Sequence, residues 1–139
     1  MINTKRILFS ILFLILFDGI WIHLFMGKKY DNMILDIQGE KLVPNYYYII
    51  GSYILMICGM ILFVLPQTEN NNSLLKDSFW YGFLFGIITY GIYDFTAGAV
   101  FKKWNMKLAF IDIMWGGFIF GIVAYISGKL FNKKIQKNN

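Results

Sequence analysis

The chain has 139 residues, of which 58% are hydrophobic and 19% aromatic, and its formal net charge is +5. One histidine and one cysteine exclude disulfides within the chain, thiolate metal centres and the histidine clusters of membrane desaturases, so we expect no metal and no cofactor. Most lysines flank apolar segments, which favours contact with lipid headgroups and argues against a nucleic-acid partner.

Four long apolar segments follow one another along the chain, and each is about as long as the ~20 residues that a helix needs to cross a bilayer. They are residues 7–26, 46–65, 79–101 and 108–128. Four such segments would leave a soluble fold almost no polar surface. The sequence therefore predicts an all-α fold, a polytopic four-transmembrane-helix bundle. We expect one integral membrane domain over residues 1–139, with a basic tail at 129–139.

The first segment follows Lys5 and Arg6, as the apolar region of a secretory signal peptide would. It is longer than the roughly 7–15 residues of such a region, and no small-residue cleavage site follows it. We predict that it is a retained span. The connection at 27–45 mixes both charge signs and is a candidate for a short interfacial helix.

The basic residues divide almost equally between the two membrane faces. With four spans, both termini lie on one side, which carries Lys5, Arg6, Lys76, Lys129, Lys133, Lys134 and Lys137. The other side carries Lys28, Lys29, Lys41, Lys102, Lys103 and Lys107. The small excess favours cytoplasmic termini. The near balance would also permit an antiparallel homodimer.

Three aspartates lie inside three different apolar segments. At 1.5 Å per residue, Asp18, Asp94 and Asp112 fall roughly 12, 10 and 6 Å below the same membrane face. A charge in hydrocarbon costs several kcal/mol, so these carboxylates should face the bundle interior or a wet cavity and titrate as a coupled set. The alternative is structural: each aspartate bonds a neighbouring helix or meets a lysine such as Lys102 or Lys107.

Two of the aspartates open the same four-residue motif, D-x-x-W. Asp18 precedes Trp21, and Asp112 precedes Trp115, by three positions. At that spacing the two side chains share one helical face, where the indole N–H can donate to the carboxylate. His23 lies about 140° around the helix from Asp18, so we expect it outside the polar layer.

The third segment carries polar residues on two sides. Gly86, Tyr90, Asp94 and Gly98 form one stripe, and Thr89, Tyr93 and Thr96 form another roughly opposite. We therefore expect this span to be the most enclosed of the four. Gly82 with Gly86, and Gly117 with Gly121, are spaced for close helix packing. A very short connection predicts that the third and fourth spans are antiparallel neighbours.

These motifs resemble a domain-of-unknown-function family of small bacterial four-span membrane proteins. Its pattern L-D-x-x-W, then T-Y-D-L-T-N, then D-x-x-W-G is similar to "FDGIW", "IYDFTA" and "IDIMWGG" here, with Tyr30 between them. The resemblance implies that the following residues match the family pattern: Asp18, Trp21, Tyr90, Tyr93, Asp94, Thr96, Trp104, Asp112, Trp115 and Gly116. Ala97 stands where the family usually has Asn, and Ile92 replaces a Thr. The resemblance implies no activity.

Three functions remain open, and no catalytic residue is assigned. The preferred one is a ligand-binding protein or transporter, acting as a homodimer, for a cation, a proton or an amine-bearing cargo. The second is a structural or assembly subunit, and the third is an enzyme of lipid or isoprenoid, with Tyr90 or Tyr93 as proton donor. The ligand-binding or proton-handling candidates are Asp18, Asp94, Asp112, Trp21, Trp115, Tyr90, Tyr93 and Thr96.

Overall fold

The structure is a computed structural model that describes residues 2–68 and 75–131, and every regular element in this part of the chain is helical. The elements are α1 (Thr4–Trp21), α2 (Gly27–Gln38), α3 (Tyr46–Gly59), α4 (Leu75–Val100) and α5 (Met106–Phe131). Among the described residues, four helical stretches are long and apolar enough to span a membrane: Thr4–Gln38, Tyr46–Val64, Asp77–Val100 and Met106–Phe131. The all-α four-span prediction is confirmed.

The first span continues into α2 without a break. A π-helical turn at Ile22–Met26 joins α1 to α2, so the connection expected to hold a short helix does contain one. This helix is amphipathic: Met33 is buried, whereas Lys28 and Lys29 are exposed. It ends at Gly39, whose φ of 78° is the left-handed conformation that glycine adopts readily.

Helices α4 and α5 pack with their backbones in direct contact, as the glycine spacing predicts. A Cβ atom at Gly82 would meet the carbonyl of Phe120, and one at Gly86 would meet the backbone of Gly116. Both collisions involve backbone atoms, which have no rotamer into which to move. The absence of side chains here therefore sets how closely the two helices approach.

The fourth span, not the third, is the most enclosed, so that expectation is wrong. In the most apolar stretch of α5 half of the residues are buried, against 22% in the third span. The reason is side-chain size: Gly116, Gly121, Ala124 and Ser127 let neighbours approach α5 from several sides. In the polar stripe of α4 that contains Thr96, Tyr93 and Thr96 are exposed and Thr89 is half-buried.

The buried core is built mainly from α1, α5 and the end of the second span. It contains Leu14, Met60, Val64, Leu65, Ile119, Phe120, Val123 and Ala124. The outer surface carries large apolar side chains such as Leu12, Leu55 and Leu84, each more than half exposed. A surface of this kind suits contact with lipid and agrees with an integral multi-pass membrane protein.

Candidate functional site

Asp18 is the point at which all four spans meet. It is buried on α1 and accepts three side-chain hydrogen bonds. The Tyr53 hydroxyl donates to Oδ2 over 2.7 Å, the Tyr90 hydroxyl to Oδ1 over 2.9 Å, and the Trp115 indole to Oδ1 over 3.0 Å. These donors come from α3, α4 and α5 respectively. The carboxylate is therefore well satisfied, and it ties the bundle together.

Gly116 gives Tyr90 the room that it needs to reach Asp18. A Cβ atom at Gly116 would collide with the ring of Tyr90. Because glycine has no side chain, that ring can pack directly against the backbone of α5. The residue after Trp115 in the second D-x-x-W motif thus controls the position of a tyrosine on another helix.

Asp112 has two donors, one for each oxygen. The indole N–H of Trp21 donates to Oδ1 over 3.4 Å, and the hydroxyl of Tyr30 donates to Oδ2 over 3.1 Å. Tyr30 belongs to α2, so this bond links the amphipathic helix to α5. The Tyr30 hydroxyl also lies within electrostatic range of Asp94.

The two D-x-x-W motifs exchange partners, which corrects the expected pairing within each helix. Trp21 donates to Asp112 and Trp115 donates to Asp18, while the two indoles stack at 4.4 Å with an interplanar angle of 8°. The spacing does put each aspartate and tryptophan on one face. That face meets the other helix, and the antiparallel direction of α1 and α5 sets each indole opposite the other motif's carboxylate.

Asp94 differs from the other two aspartates. It is fully buried on α4, and neither carboxylate oxygen makes a well-formed hydrogen bond with any described group. The Trp104 indole N–H is the donor that lies beside it, within reach of a weak contact but without good hydrogen-bond geometry. The Asp112 carboxylate is within electrostatic range. A third aspartate–tryptophan pair is thus present, but its hydrogen bond is poorly formed.

Aromatic rings surround Trp104 in this third pair. The ring centroids of Tyr93, Tyr30 and Phe101 lie 5.8, 6.0 and 6.1 Å from that of Trp104. Tyr93 meets it edge-on and is itself 56% exposed. The surroundings of Asp94 therefore combine a carboxylate with several aromatic faces.

Helix α2 covers this region. Met33 packs in one buried cluster with Ala97, Trp104 and Ala109. The contact is supplemented by two polar bonds: the backbone N–H of Asn105 donates to the Met33 sulfur over 3.2 Å, and Lys103 Nζ donates to the backbone carbonyl of Asp36 over 2.8 Å. Ala97 itself has no polar side-chain atom to offer Asp94.

The structure thus brings most of the candidate residues together. Asp18, Trp21, Tyr90, Asp112 and Trp115 form one hydrogen-bonded layer, with Asp94 beside it. Two candidates lie outside this hydrogen-bonded layer: Thr96 is exposed, and Tyr93 meets the site only through its ring edge. His23 is exposed in the π-helical turn, outside the layer as expected. Lys102 and Lys107 are exposed and are not among the groups that donate to Asp18 or Asp112 in the described bonds.

Sequence reasoning missed two tyrosines and an arginine. Tyr30 and Tyr53 were not among the candidates, although each donates to an aspartate. Arg6, treated only as a flanking charge, is completely buried, with Nε donating to the Ser127 hydroxyl over 3.3 Å. The burial of Arg6 could have been predicted from the sequence. Arg6, Ser10 and Asp18 are separated by multiples of four residues and therefore lie on one stripe of α1.

Among residues 2–68 and 75–131, no three histidine, cysteine, aspartate or glutamate side chains are grouped closely enough to hold a metal ion. The donors around Asp18 and Asp112 are tyrosine hydroxyls and indole N–H groups, which do not replace carboxylates as ligands of a hard cation. The arrangement is suited to accepting hydrogen bonds or a proton.

A family model described as "Predicted membrane protein (DUF2177)" matches residues 3–128. The match covers all four spans and every candidate residue, and it confirms the family resemblance of the D-x-x-W and Y-D-x-T motifs. No curated protein and no solved structure matches the chain.

Proposed function

Since the chain belongs to the DUF2177 family of predicted membrane proteins, whose description names no activity, we propose a function from the aspartate layer itself. The protein binds a proton or a small cation at Asp94 within the membrane and passes it across. Asp18 and Asp112 hold the bundle around this group and fix its surroundings.

The observation that carries this proposal is the unequal hydrogen bonding of the three aspartates. Asp18 accepts three hydrogen bonds and the half-buried Asp112 accepts two, whereas the fully buried carboxylate of Asp94 makes no well-formed hydrogen bond with a described group. A buried acceptor without a donor costs about 1–3 kcal/mol, and more if it is charged. A proton or a bound cation would remove that cost. Ligand binding would therefore lower the free energy of Asp94 more than that of Asp18 or Asp112.

Other titratable groups face Asp94 and would take part in exchange. Asp112 on α5, Tyr30 on α2 and Tyr93 on α4 are its neighbours. Tyr30 donates to Asp112 while lying within electrostatic range of Asp94. It is therefore placed to bridge the two carboxylates when either one changes its charge.

A homodimer is part of the proposal, because the groove beside the layer in the described part of one copy is apolar. The groove of about 530 Å³ next to Trp21 and Trp115 is lined by apolar and aromatic side chains, including Phe110 and Met114. A cation would not cross through such a surface. A second copy would supply the missing polar wall. Cytoplasmic termini remain the proposed orientation.

The test is flux in proteoliposomes that contain the purified protein and a pH-sensitive dye. An imposed pH or cation gradient should be dissipated by the parent protein and not by Asp94→Asn. The matched control is Asp36→Asn, which neutralises an exposed carboxylate of α2 that is outside the layer. Equal flux for the parent protein and Asp94→Asn would rule Asp94 out as the exchanging group.

A structural or assembly role is the second candidate, and the saturation of Asp18 favours it. A carboxylate with three donors from three helices fixes helix register whether or not anything is transported. This role predicts no flux and a partner protein that co-purifies from native membranes. The enzyme hypothesis gains no comparable support, because the hydroxyl of Tyr90 already donates to Asp18.

A further inference from the structure

We infer that the ligand of Asp94 is a small organic ammonium ion that also carries a hydrogen-bond acceptor, bound between the Asp94 carboxylate and the Trp104 indole N–H. The inference rests on the proposed function and deepens it, because it selects one chemical class from the protons and cations considered above. Ethanolammonium is the simplest ion of this class.

Two neighbouring buried groups of opposite hydrogen-bonding type carry the inference. Asp94 offers two acceptor oxygens and Trp104 offers one donor, and none of these atoms makes a well-formed hydrogen bond with a described residue, although the indole lies beside the carboxylate. A bare proton or metal ion would satisfy only the carboxylate. A ligand with an N–H donor for Asp94 and an oxygen acceptor for Trp104 would satisfy both groups at once.

The aromatic surroundings favour an organic cation over a metal ion. The rings of Tyr30 and Tyr93 pack against the Trp104 ring, with centroids 6.0 and 5.8 Å from it, so an ammonium ion bound at Asp94 would lie among aromatic side chains. Hard metal ions need about six oxygen ligands, and the carboxylates near this position in the described part of the chain are Asp94 and Asp112, too few to form a metal site. Aromatic faces beside one or two carboxylates are instead typical of sites for ammonium groups.

Entry to this site would require α2 to shift, because Met33 packs over Trp104 and Ala97. Two features make such a shift feasible. Met33 has a flexible, unbranched side chain, and a π-helical turn at Ile22–Met26 joins α2 to α1. The contacts of α2 with Lys103 and Asn105 are single bonds that can break and re-form.

The experiment measures binding to the full chain in phosphatidylcholine nanodiscs by calorimetry at fixed pH. Ethanolamine should bind more tightly than ethylamine, which has the same charge but no hydroxyl, and more tightly than sodium. Asp94→Asn should weaken ethanolamine binding at least about tenfold, because a charge-assisted hydrogen bond is lost. Trp104→Phe keeps an aromatic ring but removes the N–H, so it should abolish the preference for ethanolamine over ethylamine.

Two further variants make the result specific. Ala97→Asn places an amide one turn after Asp94, beside Trp104, where it can satisfy both groups in place of the ligand, so ethanolamine binding should be lost while the protein stays folded. Trp80→Phe is the matched control, because Trp80 is an exposed tryptophan on the same helix and lies outside the site. It should leave binding unchanged.

The outcomes separate this inference from the proposed function. Sodium or proton flux that depends on Asp94, with no amine binding, would overturn the ammonium ligand and leave the proposed function standing. Amine binding that is equal in the parent protein and Asp94→Asn would overturn the inferred site. Adding phosphatidylethanolamine to the nanodiscs distinguishes two sources of the same chemistry: competition with ethanolamine supports a lipid headgroup, and no competition supports a free amine.

Discussion

Trp21 and Trp115 stack face to face, and each donates its indole N–H to the aspartate of the other's D-x-x-W motif. The exchange joins α1 to α5 through two hydrogen bonds and one ring stack. Because Asp18 also accepts from Tyr53 and Tyr90, the same joint holds α3 and α4. The polar layer therefore acts as one unit.

The exchange predicts which pairs are energetically coupled. A double-mutant cycle of Trp115→Phe with Asp18→Asn should give a coupling of about 1 kcal/mol, because their hydrogen bond crosses two helices in an apolar medium. The same-helix cycle of Trp115→Phe with Asp112→Asn should give a smaller value. Unfolding in detergent measures both, and a larger coupling within the helix would contradict the exchange.

The glycine contact between α4 and α5 gives a second prediction. Gly86→Ala should destabilise the protein by about 2 kcal/mol or more, because its Cβ would meet the backbone of Gly116 and force the helices apart. Gly91→Ala is the matched control: it lies on the same helix, and its Cβ would meet nothing within 4 Å. This control should be neutral or up to about 1 kcal/mol more stable, owing to its higher helix propensity. Similar losses in both variants would show that the contact does not matter.

The span count and the proximity of the three aspartates could be predicted from the sequence because both depend on local properties. Apolar segment length and a rise of 1.5 Å per residue require no knowledge of packing. The grouping of Asp18, Asp94 and Asp112 near one level followed from the same arithmetic. The spacing of Gly82 and Gly86 likewise predicted a close contact between two helices.

Partner choice could not be predicted, because it depends on which helices are neighbours and how they are rotated. The D-x-x-W spacing is compatible with a hydrogen bond within one helix and with a hydrogen bond between two helices. Only the antiparallel contact of α1 with α5 selects the bonds between helices. Tyr53 was missed for the same reason, since nothing in the sequence around it distinguishes it from the other tyrosines of its span or indicates its distant partner. Helix α5 is the most enclosed because small residues lie on several of its faces. The polar residues on two sides of α4 had instead suggested that α4 would be the most enclosed.

Arg6 supplies a third prediction. Its guanidinium is buried, and it donates to Ser127 and, at the longer distance of 3.5 Å, to the carbonyl of Leu65. Arg6→Met keeps a long apolar stem but removes these donors, so it should cost about 2 kcal/mol of unfolding free energy. Lys5→Met removes the neighbouring exposed charge and should change stability by less than about 0.5 kcal/mol. Equal effects would indicate that Arg6 acts only as a membrane-flanking charge.

A fourth prediction concerns α2. The sulfur of Met33 accepts from the backbone of Asn105, so these two positions are neighbours, and cysteines there can be joined by a short bis-maleimide reagent. In a Cys58→Ser background, the cross-linked M33C/N105C protein should bind ethanolamine at least about tenfold more weakly than the same protein without the reagent, because α2 can no longer move aside. The unlinked protein is the control. Binding that is indifferent to the cross-link would mean that the ligand does not enter beneath α2.

The central claim is that Asp94, alone among the three aspartates, is buried without a well-formed hydrogen bond because it is the group that exchanges a ligand. The unfolding free energies of Asp94→Asn and Asp18→Asn in the same detergent test it most directly. Asp18→Asn should lose about 2–3 kcal/mol, because three donors lose their charged acceptor. Asp94→Asn should be as stable as the parent protein or more stable, because it removes an unsatisfied buried carboxylate. A loss at Asp94 as large as that at Asp18 would contradict the account.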